Sequence, residues 1–285
     1  IDTLVKGMLI FHHKGEDACI RKFPQYSRNA MIIMKNLVGR CRLALDNHDT
    51  EMVGKELLKV KRLDLKCSGF RPRFGSVHVL ITLINLQDLH LDKNQIVDVA
   101  PLAGMVHLKE LDLYENQIVD VAPLAGLVNL TYLDLGRNKI VNVAPLAGLG
   151  NLTRLNLGEN QIVDVSPLAG LFHLERLYLN NNQIIDVAPL AELTNLKQLY
   201  LRNNQIVDMS PLAGLVNLTW LCLNGNQIVD VAPLAGLFNL TWLRLWNNQI
   251  VDVSPLAELW RLEKLELYEN QIVDVSPLAG LVNLK

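Results

Sequence analysis

The amino-acid sequence repeats itself with a fixed period: Asn94, Asn116, Asn138, Asn160, Asn182, Asn204, Asn226, Asn248 and Asn270 stand 22 residues apart with no insertion between them. A period of this size marks a solenoid, in which one unit is too small to enclose a core and buries its apolar side only against its neighbours. The 285-residue length therefore sets no domain number, because such a fold grows by addition. Half of the residues are apolar and a fifth charged, which leaves ample surface to bury and argues against disorder.

Each unit reads LxxLxLxxNQIVDVAPLAGL, as in Leu130, Leu133, Leu135, Asn138, Ile140, Val143, Pro145, Leu146 and Leu149. The alternation at Leu133-Asp134-Leu135 predicts a short strand with its leucines inward, and strands one period apart must stack in parallel. The Asn after each strand is predicted to be buried at the turn, binding neighbouring backbone groups as a ladder. Next, Asp-Val-(Ala/Ser)-Pro-Leu-Ala puts Pro at the expected first position of a helical turn and Asp or Ser where a capping oxygen helps. Roughly five residues remain before the next unit's leucine, enough for a 3-10 or single helical turn.

This pattern resembles the leucine-rich-repeat superfamily, in particular the short-unit type of the bacterial internalins and of the leucine-rich phosphatase-1 regulatory subunit. The resemblance covers residues 80–285. It implies an α/β fold: a leucine-rich-repeat solenoid, or horseshoe, with a parallel concave β-sheet, short helical or 3-10 convex segments and an N-terminal helical cap. It also implies a protein-binding role, and the internalin likeness implies surface display and receptor binding. The matching residues are those of the scaffold, so the resemblance carries no partner identity.

Residues 60–285 are read as the leucine-rich-repeat domain, with regular repeats over 80–285 and a degenerate first repeat at 60–79. In that repeat Leu63 and Leu65 keep the strand pattern and Ser68 takes the asparagine position, but Ser68 lies 26 residues before Asn94, an insertion of four. Residues 1–59 are expected to form a helical cap or flanking region, with helices over 29–45 and 50–60 shielding the first strand. The chain stops at Lys285, where another strand would start, without a cap; this predicts a truncated C-terminus and a longer parent protein.

The formal charge of -2 hides an asymmetry: residues 1–79 hold 15 Lys/Arg against 8 Asp/Glu, and residues 80–285 hold 12 against 21. No aromatic-interleaved basic motif accompanies the positive part, so a solvated helical surface is the simpler reading and nucleic acid is not the expected partner. Cys19, Cys41, Cys67 and Cys222 form no CxxC pair and no regular framework, which suits reduced thiols in a cytoplasmic protein. The internalin likeness points instead to a secreted or bacterial-surface location. No membrane span and no signal peptide are visible, although the chain begins at Ile1 without methionine.

No phosphate loop, GxSxG elbow, HExxH or dinucleotide GxGxxG occurs, so neither catalysis nor a cofactor is expected. His12, His13, Glu16, Asp17 and Cys19 are metal-capable but fit no standard spacing, and a polar loop explains them more simply. Cys222 lacks a His in its columns and reads as an ordinary strand residue. The recurring Asp98, Asp120 and Asp164 invite a calcium reading, but turn capping suffices, and Asn142 replaces one of them. The NLT sequons at Asn129, Asn151, Asn217 and Asn239 would carry glycans only in a eukaryotic secretory route.

Function is expected where the repeats differ. Loop and outer positions hardly change, whereas the outward strand positions vary in size and charge. Of ten Tyr and Trp residues, eight fall in the three outward columns. Aromatics favour strands in any case. Clustered with arginine on an open face, however, they match the chemistry of interface hot spots. The predicted partner-binding residues are Tyr178, Tyr200, Arg202, Trp220, Trp242, Arg244, Trp246 and Tyr268, with Arg244 placed to stack on indole. An acidic group, Asp88, Asp92, Glu110, Asp112, Glu115 and Asp134, suggests a partner basic on one side and apolar on the other. Nine strands at about 4.8 Å spacing give an arc of roughly 38 Å, enough for a folded protein ligand. The expected function is therefore a non-enzymatic scaffold that binds a protein on its concave face, as a monomer. The alternatives are the recognition module of a larger enzyme or signalling protein, and an internalin-like adhesin or effector.

Overall fold

A computed structural model gives the structure of residues 60–64, 83 and 85–285. The expected N-terminal helices, the Ser68 insertion and the His12–Cys19 cluster lie outside these residues. The chain divides between Leu130 and Thr131 into two compact units. In the first, strands β1 (Arg62–Asp64), β2 (Asp88–His90) and β3 (Glu110–Asp112) pair in parallel. In the second, β4 (Tyr132–Asp134), β5 (Arg154–Asn156), β6 (Arg176–Tyr178), β7 (Gln198–Tyr200), β8 (Trp220–Cys222), β9 (Trp242–Arg244) and β10 (Lys264–Glu266) pair in parallel in chain order. Register follows the sequence period, Leu199 opposite Leu221 and Leu221 opposite Leu243. Leu63 opposes Leu89 across a longer connection.

The inward positions make the core. In the repeat of β7, Leu196, Leu199, Leu201, Ile206, Met209, Leu212 and Leu215 are all at most 1% exposed. Each such side chain contributes about 1.5–3 kcal/mol relative to exposure, and neighbouring repeats share the interior, so burial also welds one unit to the next.

The asparagine ladder is built as the spacing predicts. Asn204 Nδ2 donates to Leu179 O of the preceding repeat at 3.0 Å and to Leu201 O of its own at 2.9 Å, while its Oδ1 accepts from Ile184 N at 3.0 Å. One amide thus bonds three buried backbone groups, and the two carbonyls are shared with the adjacent rungs, Leu179 O with Asn182 and Leu201 O with Asn226. The residue before each ladder asparagine adopts a left-handed conformation, as at Lys93, Glu115, Arg137 and Asn203 with φ of 54 to 59°. This turns the chain so that the following amide lies beneath the strand.

Each repeat then closes with a 3-10 segment, such as Ala100–Leu102 and Ser210–Gly214. Its start differs in detail from the expectation. Val99 or its equivalent is the N-cap and makes no side-chain cap bond, and proline is the second residue of the segment instead of the first. The capping oxygen comes from one residue earlier: Asp98 Oδ1 accepts from Ala100 N at 2.8 Å. Proline brings no N–H to the next position, so the two leading donors are satisfied or absent. Asn142 makes the same bond to Ala144 N, which accounts for this recurring column without calcium. The sequon asparagines also brace neighbouring loops, since Asn217 Nδ2 donates to Thr194 O at 2.9 Å and Asn239 Nδ2 to Val216 O at 2.9 Å.

Candidate protein-binding face

Strand alternation turns the residues flanking each inward leucine away from the core, and the residue two beyond each strand adds a third column. In the second unit the first column runs Tyr132, Arg154, Arg176, Gln198, Trp220, Trp242, Lys264. The middle column runs Asp134, Asn156, Tyr178, Tyr200, Cys222, Arg244, Glu266, and the third Gly136, Gly158, Asn180, Arg202, Asn224, Trp246, Tyr268.

Parallel pairing in strict register puts equivalent side chains at about 4.8 Å, close to a stacking distance. The rings use it. Tyr178 and Tyr200 stack with centroids 4.5 Å apart and planes 10° apart. Trp220 and Trp242 lie 3.9 Å apart at 31°. Trp246 and Tyr268 stack at 5.1 Å and 9°. Tyr200 and Trp220, at 6.0 Å, join the middle column to the first.

Cations close both ends of this row. The Arg154 guanidinium lies 5.3 Å from the Tyr178 ring and 5.1 Å from Tyr132. Lys264 Nζ stands 4.1 Å from the Trp242 centroid, and the Arg244 guanidinium lies 5.1 Å from Trp242 and 6.0 Å from Trp220. Arg244 Nε also donates to Glu266 Oε1 at 3.1 Å.

The eight predicted residues therefore fall into two ring groups and an outlier. Tyr178, Tyr200, Trp220, Trp242 and Arg244 form one continuous group; Trp246 and Tyr268 form a second, in which Tyr268 is 55% exposed. Arg202 is exposed and makes no cation–ring contact and no side-chain hydrogen bond among the described residues. Sequence reasoning missed Arg154 and Lys264, whose guanidinium and ammonium cover the terminal rings. Their place in the same column was the available signal. It also missed Asn224, fully enclosed between Arg202 and Trp246 in the third column, with neither amide atom bonded to a protein group.

Burial shifts three titratable groups of the face. Burial, with the neighbouring Tyr178 and Cys222, pushes the Tyr200 hydroxyl up to about 12, so it remains a neutral donor. Burial likewise raises the Cys222 thiol, although the Trp220 indole N–H donates to its sulfur at 3.0 Å. A protonated, enclosed thiol is a poor nucleophile. Burial raises Asp134 above its usual range despite donors from Asn156, Gly136 and Tyr132. Among the described residues no group of three or more His, Cys, Asp or Glu is arranged to hold a metal.

A family model for paired leucine-rich repeats matches residues 128–170, 173–214 and 238–280, and a further leucine-rich-repeat model matches 84–140. An internalin of Listeria monocytogenes (inlF) is 31% identical over 81% of this chain and 87% of its own, with a TM-score of 0.53. The chain belongs to the leucine-rich-repeat superfamily. Within that superfamily, Listeria internalin C2 is 39% identical over 72% of this chain and 81% of its own, also with a TM-score of 0.53. A leucine-rich-repeat protein of Leptospira interrogans is 28% identical over 82% of this chain and 62% of its own, with a TM-score of 0.75. No curated protein matches the sequence. These likenesses describe the repeat scaffold, a common protein-interaction framework. Among the described residues no helix is long and apolar enough to cross a membrane.

Proposed function

We propose that this leucine-rich-repeat chain is a non-enzymatic scaffold that binds a protein partner on the open face of the sheet from β6 to β10. One observation carries the reading. Among the described residues, eight of the nine Tyr and Trp sit in the outward columns, where the repeats differ; Trp260, with Phe172 and Phe238, lies instead in the turns that follow the 3-10 segments. Tyr, Trp and Arg in a partly desolvated cluster are the residues that dominate protein interfaces. Stacked ring on ring, they are already ordered, which lowers the entropic cost of binding.

The deciding experiment is affinity capture by the whole chain, with partners quantified against the W220A/W242A/W246A variant. Loss of the captured partner, with the far-UV circular dichroism spectrum retained, is the expected result. Retention of the same partner by the variant would remove this face from consideration. A second reading, an adhesin or effector secreted or displayed on a bacterial surface, draws on the internalin likeness. It competes with the cytoplasmic setting suggested by cysteine usage, and cell fractionation separates the two.

A further inference from the structure

We infer that the partner is acidic: the face between β5 and β9 takes an extended protein segment bearing carboxylates, held by Arg176 and Arg202 on the two sides of the Tyr178–Tyr200 pair. This rests on the protein-binding reading above and names the chemistry of its partner.

The charge on this stretch is one-sided. The fifteen outward positions of β5–β9 hold four arginines and no Asp or Glu. Two of the arginines are already engaged, Arg154 over the Tyr132 and Tyr178 rings and Arg244 with Trp242 and Glu266. Arg176 in the first column and Arg202 in the third are exposed and have neither an ion pair nor a side-chain hydrogen bond among the described residues. A guanidinium is a planar fork that matches a carboxylate with two parallel hydrogen bonds. Free forks flanking a central ring pair make a surface complementary to acidic groups alternating about an apolar one.

Ring orientation narrows the ligand class. Trp242 has Trp220 on the side of β8 and Lys264 on the side of β10, and Tyr178 lies between Arg154 and Tyr200. Their faces are therefore occupied, whereas stacking of a nucleobase needs a free face. What these rings offer is their edges, which carry the positive part of the quadrupole and add to the arginine field. An acceptor-rich polypeptide satisfies that surface; a single-stranded nucleic acid would find neither Trp242 nor Tyr178 free as a platform. From β5 to β9 is four strand spacings, about 19 Å, or about six extended residues.

The experiment uses the whole chain, immobilised and panned with a random dodecapeptide display library, beside R176E/R202E, R176K/R202K and W220A/W242A/W246A, each checked by circular dichroism. The inference expects enriched peptides to be richer in Asp and Glu than the starting library. Their affinity should fall at least about tenfold on charge reversal and be partly restored by lysine. A twelve-nucleotide oligo(dT) should bind far more weakly. Enrichment of acid-poor peptides, no enrichment at all, indifference to R176E/R202E, or equal binding of oligo(dT) would overturn it. If acid-poor peptides are enriched and are lost only with the three tryptophans, the partner chemistry is wrong and the binding face stands. If no variant alters binding, both readings fall.

Discussion

On β2 and β3 the outward columns hold Asp88, Asp92, Glu110 and Asp112, with His90 Nδ1 3.9 Å from Asp112; on β5–β9 the equivalent columns hold four arginines and five aromatic rings. Beneath these opposite surfaces the construction is the same. Leu89 and Leu111 are as fully enclosed as Leu199 and Leu221. Asn116 donates to Leu91 O and Leu113 O at 3.0 Å each and accepts from Ile96 N at 2.9 Å, matching the three bonds of Asn204. Stability therefore resides in positions that the two regions share, and under the proposed function recognition resides in the columns where they differ, so one should be alterable with little effect on the other.

The most damaging challenge to that separation strikes the shared core. Leu199→Ala and Leu111→Ala should each cost about 2–5 kcal/mol, read from urea midpoints; clearly unequal losses would break the equivalence of the two scaffolds. Removing a rung comes next. Asn204→Ala leaves Ile184 N without its acceptor and takes one of two asparagine donors from Leu179 O and Leu201 O, and Asn116→Ala does the same to Ile96 N and Leu91 O; about 2 kcal/mol is expected from either, again by denaturation.

A smaller effect should distinguish the faces. A double-mutant cycle between Tyr178 and Tyr200 should give a stabilising coupling of about 0.5–1.5 kcal/mol. The same cycle at Asp88 and Glu110, which are register partners of like charge, should give a coupling of opposite sign. The smallest effect lies in the capping column. The Ser210 amide and hydroxyl both donate to Asp208, which holds its carboxyl below the usual range. Because the folded value is depressed, the associated stability is present above the unfolded value and is lost as pH falls through the folded one. Ser210→Ala should therefore raise the Asp208 titration midpoint, seen by carboxyl NMR, and its stability difference from the parent should close in acid.

The period made the inward leucines, the asparagine ladder, the parallel register and the short 3-10 return legible before any coordinates, since each follows from where residues recur. Less legible were features without residue-type regularity. The left-handed position is filled by Lys93, Glu115, Arg137 and Glu159 as readily as by Asn203 or Gly225, and only the last two are residue types that favour that conformation. Proline suggested a first helical position, but it is second, because the preceding alanine or serine already takes the aspartate bond. On the face, the columns could be written down from the alternation, yet which ring stacks on which cation depends on rotamers. That is why Arg154 and Lys264 emerged only in three dimensions.

The ladder amide has a genealogical corollary. Since the asparagine of every repeat supplies both a donor and an acceptor to the repeat before it, any in-frame gain or loss of one 22-residue block leaves a complete joint behind. Unequal crossing-over between near-identical gene segments can thus shuffle outward side chains as whole cassettes, creating new surface vocabularies without a folding penalty at the seam.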